Sequence, residues 1–130
     1  MNVSLGIVVN GLETLVIRPC KDNGDIQWLF PGGKVEENET DMQAVIREVK
    51  EETGVSCLPR FKLGQRELGE NNLILHYWIC DLIGKNEIKI PSNEIAEARW
   101  VSGDEAVRLF VSDIFPPLKS FLLSGFKVVK

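Results

Sequence analysis

The sequence has few of the side chains that build disulfide frameworks or zinc sites. Its three cysteines, Cys20, Cys57 and Cys80, are widely separated and form no Cys-x-x-Cys pair, and its single histidine is His76. An odd number of cysteines excludes a framework in which every cysteine is paired within the chain. One histidine with scattered cysteines argues against a zinc centre. We therefore expect three free thiols in a reducing cytoplasm.

Long apolar runs and an excess of positive charge are also missing. No stretch approaches the length needed to cross a bilayer, and the first basic residue is Arg18, so the N-terminus does not resemble a secretory signal. Fifteen basic and nineteen acidic residues give a net charge of −4, which argues against a nucleic acid polymer as partner. With 130 residues, 44% of them hydrophobic, we expect one cytoplasmic domain over residues 1–130, a monomer or homodimer without a membrane partner.

The negative charge is concentrated in one segment. Between Gly33 and Val55 the chain carries seven acidic and three basic side chains, so this segment accounts for the whole net charge. A block of this kind is commonly a solvated helix face. The alternative is a binding site for a hard cation, which acidic side chains provide. The spacing of the acids has to decide between the two.

The hydrophobic pattern predicts an α/β fold in which helices pack on a mixed sheet. Strands are expected at residues 3–9, 14–17, 28–30, 61–68, 73–82 and 98–101, with a hairpin turn at Asn10-Gly11 and a break in regular structure at Pro31-Gly32-Gly33. Helices are expected at residues 40–53, 104–111 and 117–123. The first has a capping box, Thr40 with Gln43, and Gly54 as its stop signal.

One arc of the helix predicted at 40–53 is apolar. On a wheel of about 100° per residue, this arc should pack on the sheet. It is formed by Met42, Val45, Ile46 and Val49.

Another face of the same helix is acidic. Glu48, Glu51 and Glu52 stand at the i, i+3 and i+4 spacing that brings side chains together on a helix. Clustered carboxylates on a rigid element supply the oxygen ligands that Mg²⁺ or Mn²⁺ prefers. The glycine pair Gly32-Gly33 lets backbone groups approach a ligand at the same place.

Residues 33–55 resemble the Nudix box at every defined position. The box is Gly-x5-Glu-x7-Arg-Glu-U-x-Glu-Glu-x-Gly-U, where U is aliphatic. The chain is thereby identified as a member of the Nudix family of hydrolases. The matching residues are Gly33, Glu39, Arg47, Glu48, Val49, Glu51, Glu52, Gly54 and Val55.

The resemblance implies an α/β/α sandwich with a mixed sheet, whose loop and helix carry the metal site. It implies hydrolysis of a nucleoside diphosphate linked to a further group, with Mg²⁺ or Mn²⁺ as cofactor. The metal ligands that it implies are Glu48, Glu51, Glu52 and the main-chain carbonyl of Gly33.

Further residues resemble the MutT-like branch of the family, whose members hydrolyse nucleoside triphosphates to monophosphate and pyrophosphate. Glu94 falls where that branch carries an additional metal-site glutamate, and Phe115-Pro116-Pro117 resembles the segment that closes its base pocket. Lys119 stands where the oxidised-guanine hydrolases have asparagine, so their base specificity is not carried over. Residues 70–73 contain neither the proline nor the tyrosine typical of ADP-ribose and dinucleoside-polyphosphate hydrolases.

The catalytic candidates are Glu48, Glu51, Glu52, Arg47 and Glu94. Arg47 is expected to hold Glu51 or Glu39 in place, or alternatively to bind phosphate. Glu51 and Glu94 are alternative candidates for the general base. The substrate-binding candidates are Arg18, Phe30, Lys34, His76, Trp78, Phe115 and Lys119.

Two of these assignments have plain structural alternatives. Each aromatic side chain is equally well explained as part of the core, and Lys34 as a solvated lysine beside the glycine pair.

Three functions compete at this point. The first is a MutT-like enzyme that hydrolyses a nucleoside triphosphate, and the second is an ADP-ribose or nucleotide-sugar pyrophosphatase with the same metal site. The third is a nucleotide-binding regulator that keeps the fold without catalysis. The three clustered glutamates favour an enzyme, because a binding protein has no need of three carboxylates on one helix face.

Overall fold

A central mixed sheet lies between one helix on one face and two on the other, which confirms the α/β/α sandwich. The computed structural model describes residues 1–20, 27–69, 72–91, 93–110 and 114–127. Within these ranges, no helix is long and apolar enough to cross a membrane. The elements are β1 (Asn2–Asn10), β2 (Glu13–Pro19), β3 (Gly32–Lys34), α1 (Asp41–Thr53), β4 (Ser56–Leu68), β5 (Leu73–Ile83), β6 (Ile95–Ser102), α2 (Gly103–Leu109) and α3 (Pro116–Leu123).

The sheet divides at strand β1. Its order is β4-β5-β1-β2-β6, with β1 and β5 parallel and the other neighbours antiparallel. At its end β1 pairs with β2 through Val9 and Asn10, whereas near its start it pairs with the short strand β3. Between the two pairings, the Gly6 N–H donates to the carbonyl of Pro31 at 2.8 Å. The division brings the glycine pair of β3 into the middle of the sheet.

Strand β3 corrects the prediction that Pro31-Gly32-Gly33 breaks regular structure. Gly32 pairs with Leu5 and Gly33 with Ser4. A Cβ atom on Gly32 would lie 2.1 Å from the Ser4 carbonyl oxygen, so only glycine allows this approach. The strand expected at residues 28–30 is reduced to a single bridge between Leu29 and Ile17.

The other elements differ from the predicted ones mainly at their ends. Strand β4 begins at Ser56 instead of residue 61, because as an edge strand it accommodates Pro59 beside an irregularity in its pairing. Strand β6 is longer at both ends, and α2 ends at Leu109 in place of Val111, which lies outside the described residues.

Helix α1 has the caps that its sequence predicts. Thr40 and Gln43 form the reciprocal capping box, and Gly54 ends the helix at φ 77°, a conformation that favours glycine. Val45 and Val49 face the sheet and are fully buried, as expected. Met42 is 43% exposed, however, because Ala44 completes the buried arc in its place.

Each face of the sheet has its own apolar core. The core between α1 and the sheet contains Val8, Leu15, Val45, Val49, Val55, Cys57 and Cys80. On the opposite face, α2 and α3 cover Ile7, Val16, Phe30, Tyr77, Ile79 and Val101. All three cysteines are free thiols, with Cys57 and Cys80 buried and Cys20 exposed.

The close approach of α1 to β1 predicts a specific steric coupling. A Cβ atom on Gly6 would lie 2.8 Å from Val45 Cγ2 and 3.0 Å from Val49 Cγ2. We expect Gly6→Ala to lower the free energy of unfolding by about 1–3 kcal/mol, because the helix must move away from the sheet.

Chemical denaturation of Gly6→Ala, Val45→Ala and the double variant tests this. The double variant should lose less stability than the sum of the single ones, since Val45→Ala removes the atom that clashes. Losses that add within about 0.5 kcal/mol would show that the contact carries no strain.

Candidate active site

Two glutamates of α1 reach back to the glycine pair of β3. Glu52 Oε1 accepts a hydrogen bond from the Gly32 N–H at 2.8 Å. The Glu48 carboxylate lies over Gly33, where a Cβ atom would meet its carbon at 2.5 Å and both oxygens at 2.7 Å. The absence of a side chain at Gly33 therefore makes the room that the Glu48 carboxylate fills.

Arg47 joins four groups around this pair of elements. Its Nε donates to Glu39 Oε2 at 2.8 Å, and its Nη2 to Glu39 Oε1 at 3.0 Å and to the Lys34 carbonyl at 3.1 Å. Its Nη1 donates to Glu48 at 2.8 Å and to Glu51 at 3.2 Å. The guanidinium thus ties the loop before α1 to the acidic face of the helix, in the positioning role that its sequence context favours.

The Arg47 contacts divide the carboxylates into two electrostatic groups. The hydrogen bonds from Arg47, with that of the Glu36 N–H, lower the pKa of Glu39 to about 2. Burial raises the pKa of Glu48, and Arg47 opposes that rise. Glu39 is therefore ionised at neutral pH and fixes Arg47, whereas burial opposes the ionisation of Glu48.

Glu52 is the least compensated carboxylate of the site. Burial raises the pKa of Glu52 to about 7, against the effect of the Gly32 N–H. The negative charges of Glu48, Glu94 and Glu51 add to this rise in the pKa. Glu94, in the turn before β6, and Glu51 are both exposed and both lie within the electrostatic field of Glu52.

These side chains fit a divalent cation in chemistry and charge. Carboxylates around a glycine backbone are hard oxygen donors, and their mutual repulsion is what a bound cation relieves. In the part of the chain that the structure describes, no three His, Cys, Asp or Glu side chains already converge on one metal position. Arg47 and the Gly32 N–H engage one oxygen each of Glu48 and Glu52.

A cavity of about 400 Å³ opens beside Glu52 on the face of the sheet that carries α2 and α3. Phe115 stacks on Tyr77 with ring centroids 4.6 Å apart and an interplanar angle of 16°. Arg66 donates to the Tyr77 hydroxyl at 3.1 Å and lies 5.6 Å from the centroid of Phe115. The lining of the cavity includes Leu5, Phe30, Gly32, Glu52, Arg66, Leu75, Tyr77, Phe110, Phe115 and Leu118.

The structure brings only some of the predicted substrate contacts to this cavity. Phe30 and Phe115 line it, whereas His76 and Trp78 do not. Trp78 packs against the core under α1, on the opposite face of the sheet from Tyr77. Alternate residues of a strand face opposite ways, so grouping His76 and Trp78 with Phe30 and Phe115 was wrong.

Three basic candidates also lie away from the cavity lining. Arg18 pairs with Glu97 at 3.3 Å, because the two residues are direct partners in the β2–β6 ladder. Lys119 is exposed on α3, where its neighbour Leu118 points into the cavity instead. The side chain of Lys34 is exposed, and its role as a phosphate contact remains a prediction.

Two lining residues, Arg66 and Tyr77, were missed by the sequence reasoning. The alternation along β5 is the signal that identifies Tyr77, since it shares a face with Leu75 and Ile79. Arg66 has no comparable signal, because it lies among polar residues of an edge strand with irregular pairing.

The family model described as the NUDIX domain matches residues 2–121. The chain therefore belongs to the Nudix family of hydrolases, and it is an enzyme.

Curated relatives of similar length have named activities. CTP pyrophosphohydrolase of Escherichia coli is 32% identical over 118 residues, covering 87% of this chain and 84% of that protein. The 8-oxo-dGTP diphosphatase of the same organism is 32% identical over 131 residues, covering 98% and 96%. Other relatives are longer, since this chain spans only 50% of Nudix hydrolase 4 from Arabidopsis thaliana, at 36% identity over 75% of this chain.

Solved structures show the same fold. A NUDIX hydrolase from Nitrosomonas europaea superposes with a TM-score of 0.78 at 21% sequence identity. The match covers 98% of this chain and 90% of the other.

The uncompensated burial of Glu52 predicts a stability gain when its charge is removed. Glu52→Gln keeps the acceptor for the Gly32 N–H but ends the repulsion by Glu48 and Glu94. At about pH 8 in excess chelator, we expect the free energy of unfolding to rise by roughly 1–3 kcal/mol.

Thermal and chemical unfolding measure this gain, with Glu51→Gln as the matched control. Glu51 is 56% exposed, so its substitution should have little effect. A Glu52→Gln protein no more stable than the parent would show that the site does not strain its carboxylates.

Proposed function

We propose that this Nudix enzyme hydrolyses a nucleoside triphosphate to the monophosphate and pyrophosphate, with Mg²⁺ or Mn²⁺ as cofactor. The observation that carries this proposal is the position of the aromatic cavity, which opens beside Glu52 of the acidic helix. The flat base of a nucleotide fits between apolar and aromatic walls, and the phosphates of the nucleotide then lie at the carboxylate cluster.

The metal would be held by Glu48, Glu51, Glu52 and the Gly33 carbonyl. When bound, it neutralises phosphate charge and lowers the pKa of a coordinated water. Arg47 keeps Glu48 and Glu51 on one side of the helix, and its own charge is balanced by Glu39. Acceptance of the water proton is assigned to Glu51 or Glu94, which both border the cluster.

The base is assigned to the cavity formed by Phe30, Phe115 and Tyr77, with Arg66 as the polar group of its wall. A guanidinium only donates hydrogen bonds, so it favours a base edge that presents acceptors. The side chain of Lys119 does not line this cavity, and lysine lacks an acceptor. We therefore expect weaker discrimination for 8-oxoguanine than an asparagine at position 119 would provide.

The metal requirement is tested by removing the cation and one carboxylate in turn. Hydrolysis should stop in excess chelator and return with Mg²⁺ or Mn²⁺. Glu52→Gln should lower kcat by roughly 10²–10⁴-fold, because it removes an anionic ligand at the reacting phosphates.

Glu37→Gln is the matched control for this variant. It removes one negative charge from an exposed part of the same segment and should leave kcat unchanged. Turnover that survives chelation, or a Glu52→Gln rate within about threefold of the parent, would overturn the metal assignment.

The products distinguish the proposed reaction from its alternatives. A triphosphate pyrophosphohydrolase releases monophosphate and pyrophosphate without free orthophosphate, whereas an ADP-ribose or nucleotide-sugar hydrolase releases a sugar phosphate. We expect kcat/KM to be higher for a nucleoside triphosphate than for ADP-ribose, because Phe115-Pro116-Pro117 resembles the segment that closes a MutT-like base pocket and residues 70–73 lack the proline and tyrosine typical of ADP-ribose hydrolases.

The measurement compares CTP, dGTP, 8-oxo-dGTP and ADP-ribose, with products identified by mass spectrometry. A preference for ADP-ribose would contradict the triphosphate assignment, and no product from any of them would favour a binding protein. A strong preference for 8-oxo-dGTP over dGTP would contradict only the expectation drawn from Lys119.

A further inference from the structure

The first turn of α1 is attached to the sheet by a polar cluster on the face opposite the cavity. The Asp41 carbonyl accepts a hydrogen bond from Ser4 Oγ at 2.6 Å. Its carboxylate Oδ2 accepts one from Trp78 Nε1 at 3.0 Å and lies 3.4 Å from Lys62 Nζ. The start of the glutamate-bearing helix is therefore joined to β1, β4 and β5 through one residue.

The cluster accommodates only one protonation state of His76. Lys62 Nζ lies 2.7 Å from His76 Nδ1, and His76 Nε2 lies 2.8 Å from Asn2 Oδ1. An ammonium group can only donate, so Nδ1 accepts and the ring proton is on Nε2, which donates to Asn2. His76 is buried, so its neutral form completes the hydrogen bonds of the cluster.

The charges around His76 oppose its protonation. Lys62 faces it from β4, Asp41 from α1 at 3.6 Å, and Glu39 lines the same small cavity from the loop before α1. Burial lowers the pKa of His76 and Lys62 lowers it further, while Asp41 raises it. A proton on Nδ1 would remove one acceptor of Lys62 and place two cations 2.7 Å apart.

We propose that Asp41, Lys62 and His76 form a pH-dependent latch, which positions the start of α1 while His76 is neutral and releases it when His76 is protonated. They are positioning residues, since their hydrogen bonds go to one another and to Asn2, Ser4, Gln65 and Trp78. They act on the reaction through α1, which carries Glu48 and Glu52 at its other end.

A second connection runs from the latch to the glycine strand. Asn2, which accepts from His76 through its side chain, also accepts the Val35 N–H through its carbonyl at 2.9 Å. Val35 directly follows β3. Asn2 therefore links His76 to the strand that carries the glycine pair.

The single histidine of the chain makes the latch directly measurable. In an NMR titration of the metal-free protein, the ¹⁵N shifts should show the Nε2–H tautomer and a pKa below the ordinary histidine value. Lys62→Met should raise this pKa, because it removes the like charge. The Nδ1–H tautomer, an ordinary pKa in the parent or an unchanged pKa in Lys62→Met would overturn the proposal.

The consequence for α1 is tested with His76→Gln, whose side chain supplies both an acceptor and a donor without titrating. Amide hydrogen exchange of the first turn of α1 is compared between parent and variant at about one pH unit above and one below the His76 pKa measured by NMR. The parent should lose at least about threefold more protection than His76→Gln on acidification. Equal changes would show that the helix does not respond to His76.

The effect on catalysis rests on the proposed function, whereas the NMR and exchange experiments do not. Each protein's kcat is normalised to its own value at about pH 7.5, and the parent should then fall at least about threefold further than His76→Gln by about one pH unit below the measured His76 pKa. If the kcat of both proteins fell equally on acidification although the exchange of α1 differed between them, the latch would not position α1 for the reaction. Absence of any turnover in both proteins would refute the proposed function, and the hydrogen-exchange result alone would then decide whether the latch exists.

Discussion

The structure of the site depends on the close approach of an acidic helix to a strand of two glycines. Glu48 can lie over Gly33 only because Gly33 carries no side chain, and Gly32, whose N–H donates to Glu52, can approach Ser4 of β1 only because it carries none. The division of the sheet at β1 makes room for that strand, and Gly6 lets the apolar side of α1 approach the sheet. The backbone at three glycines therefore determines where the carboxylates stand.

This arrangement has an electrostatic cost that the protein offsets only in part. Arg47 compensates Glu39, Glu48 and Glu51, but Glu52 has only a backbone N–H among the contacts that bring it to β3. Partial compensation is consistent with the proposed function, because a site whose carboxylates were fully neutralised by arginine would have little affinity for a cation. For such a site we expect that Glu52→Gln both stabilises the protein and ends turnover.

The sequence predicts local features of the site better than it predicts the cavity. The helical periodicity and the capping residues place Glu48, Glu51 and Glu52 on one face of α1, because both features depend only on neighbours along a single helix. The pairing of Gly32 with Leu5 depends instead on a distant strand, and a glycine pair ordinarily indicates a turn. His76 and Trp78 were grouped with the cavity residues because both faces of β5 are apolar, so its alternation separates them from Tyr77 without showing which face lines the cavity. Arg66 becomes recognisable only when Tyr77 and Phe115 are seen beside it.

We propose that the carboxylates of α1 form a cation site around Glu52. The gain in unfolding free energy that saturating Mg²⁺ or Mn²⁺ gives to the chelator-treated protein measures binding at this site. A cation that binds only the folded state should add about 2.7 kcal/mol at a concentration of 100 times its Kd. We expect a clear gain for the parent and for Glu37→Gln, and less than half of that gain for Glu52→Gln. Equal gains in all three proteins would contradict it.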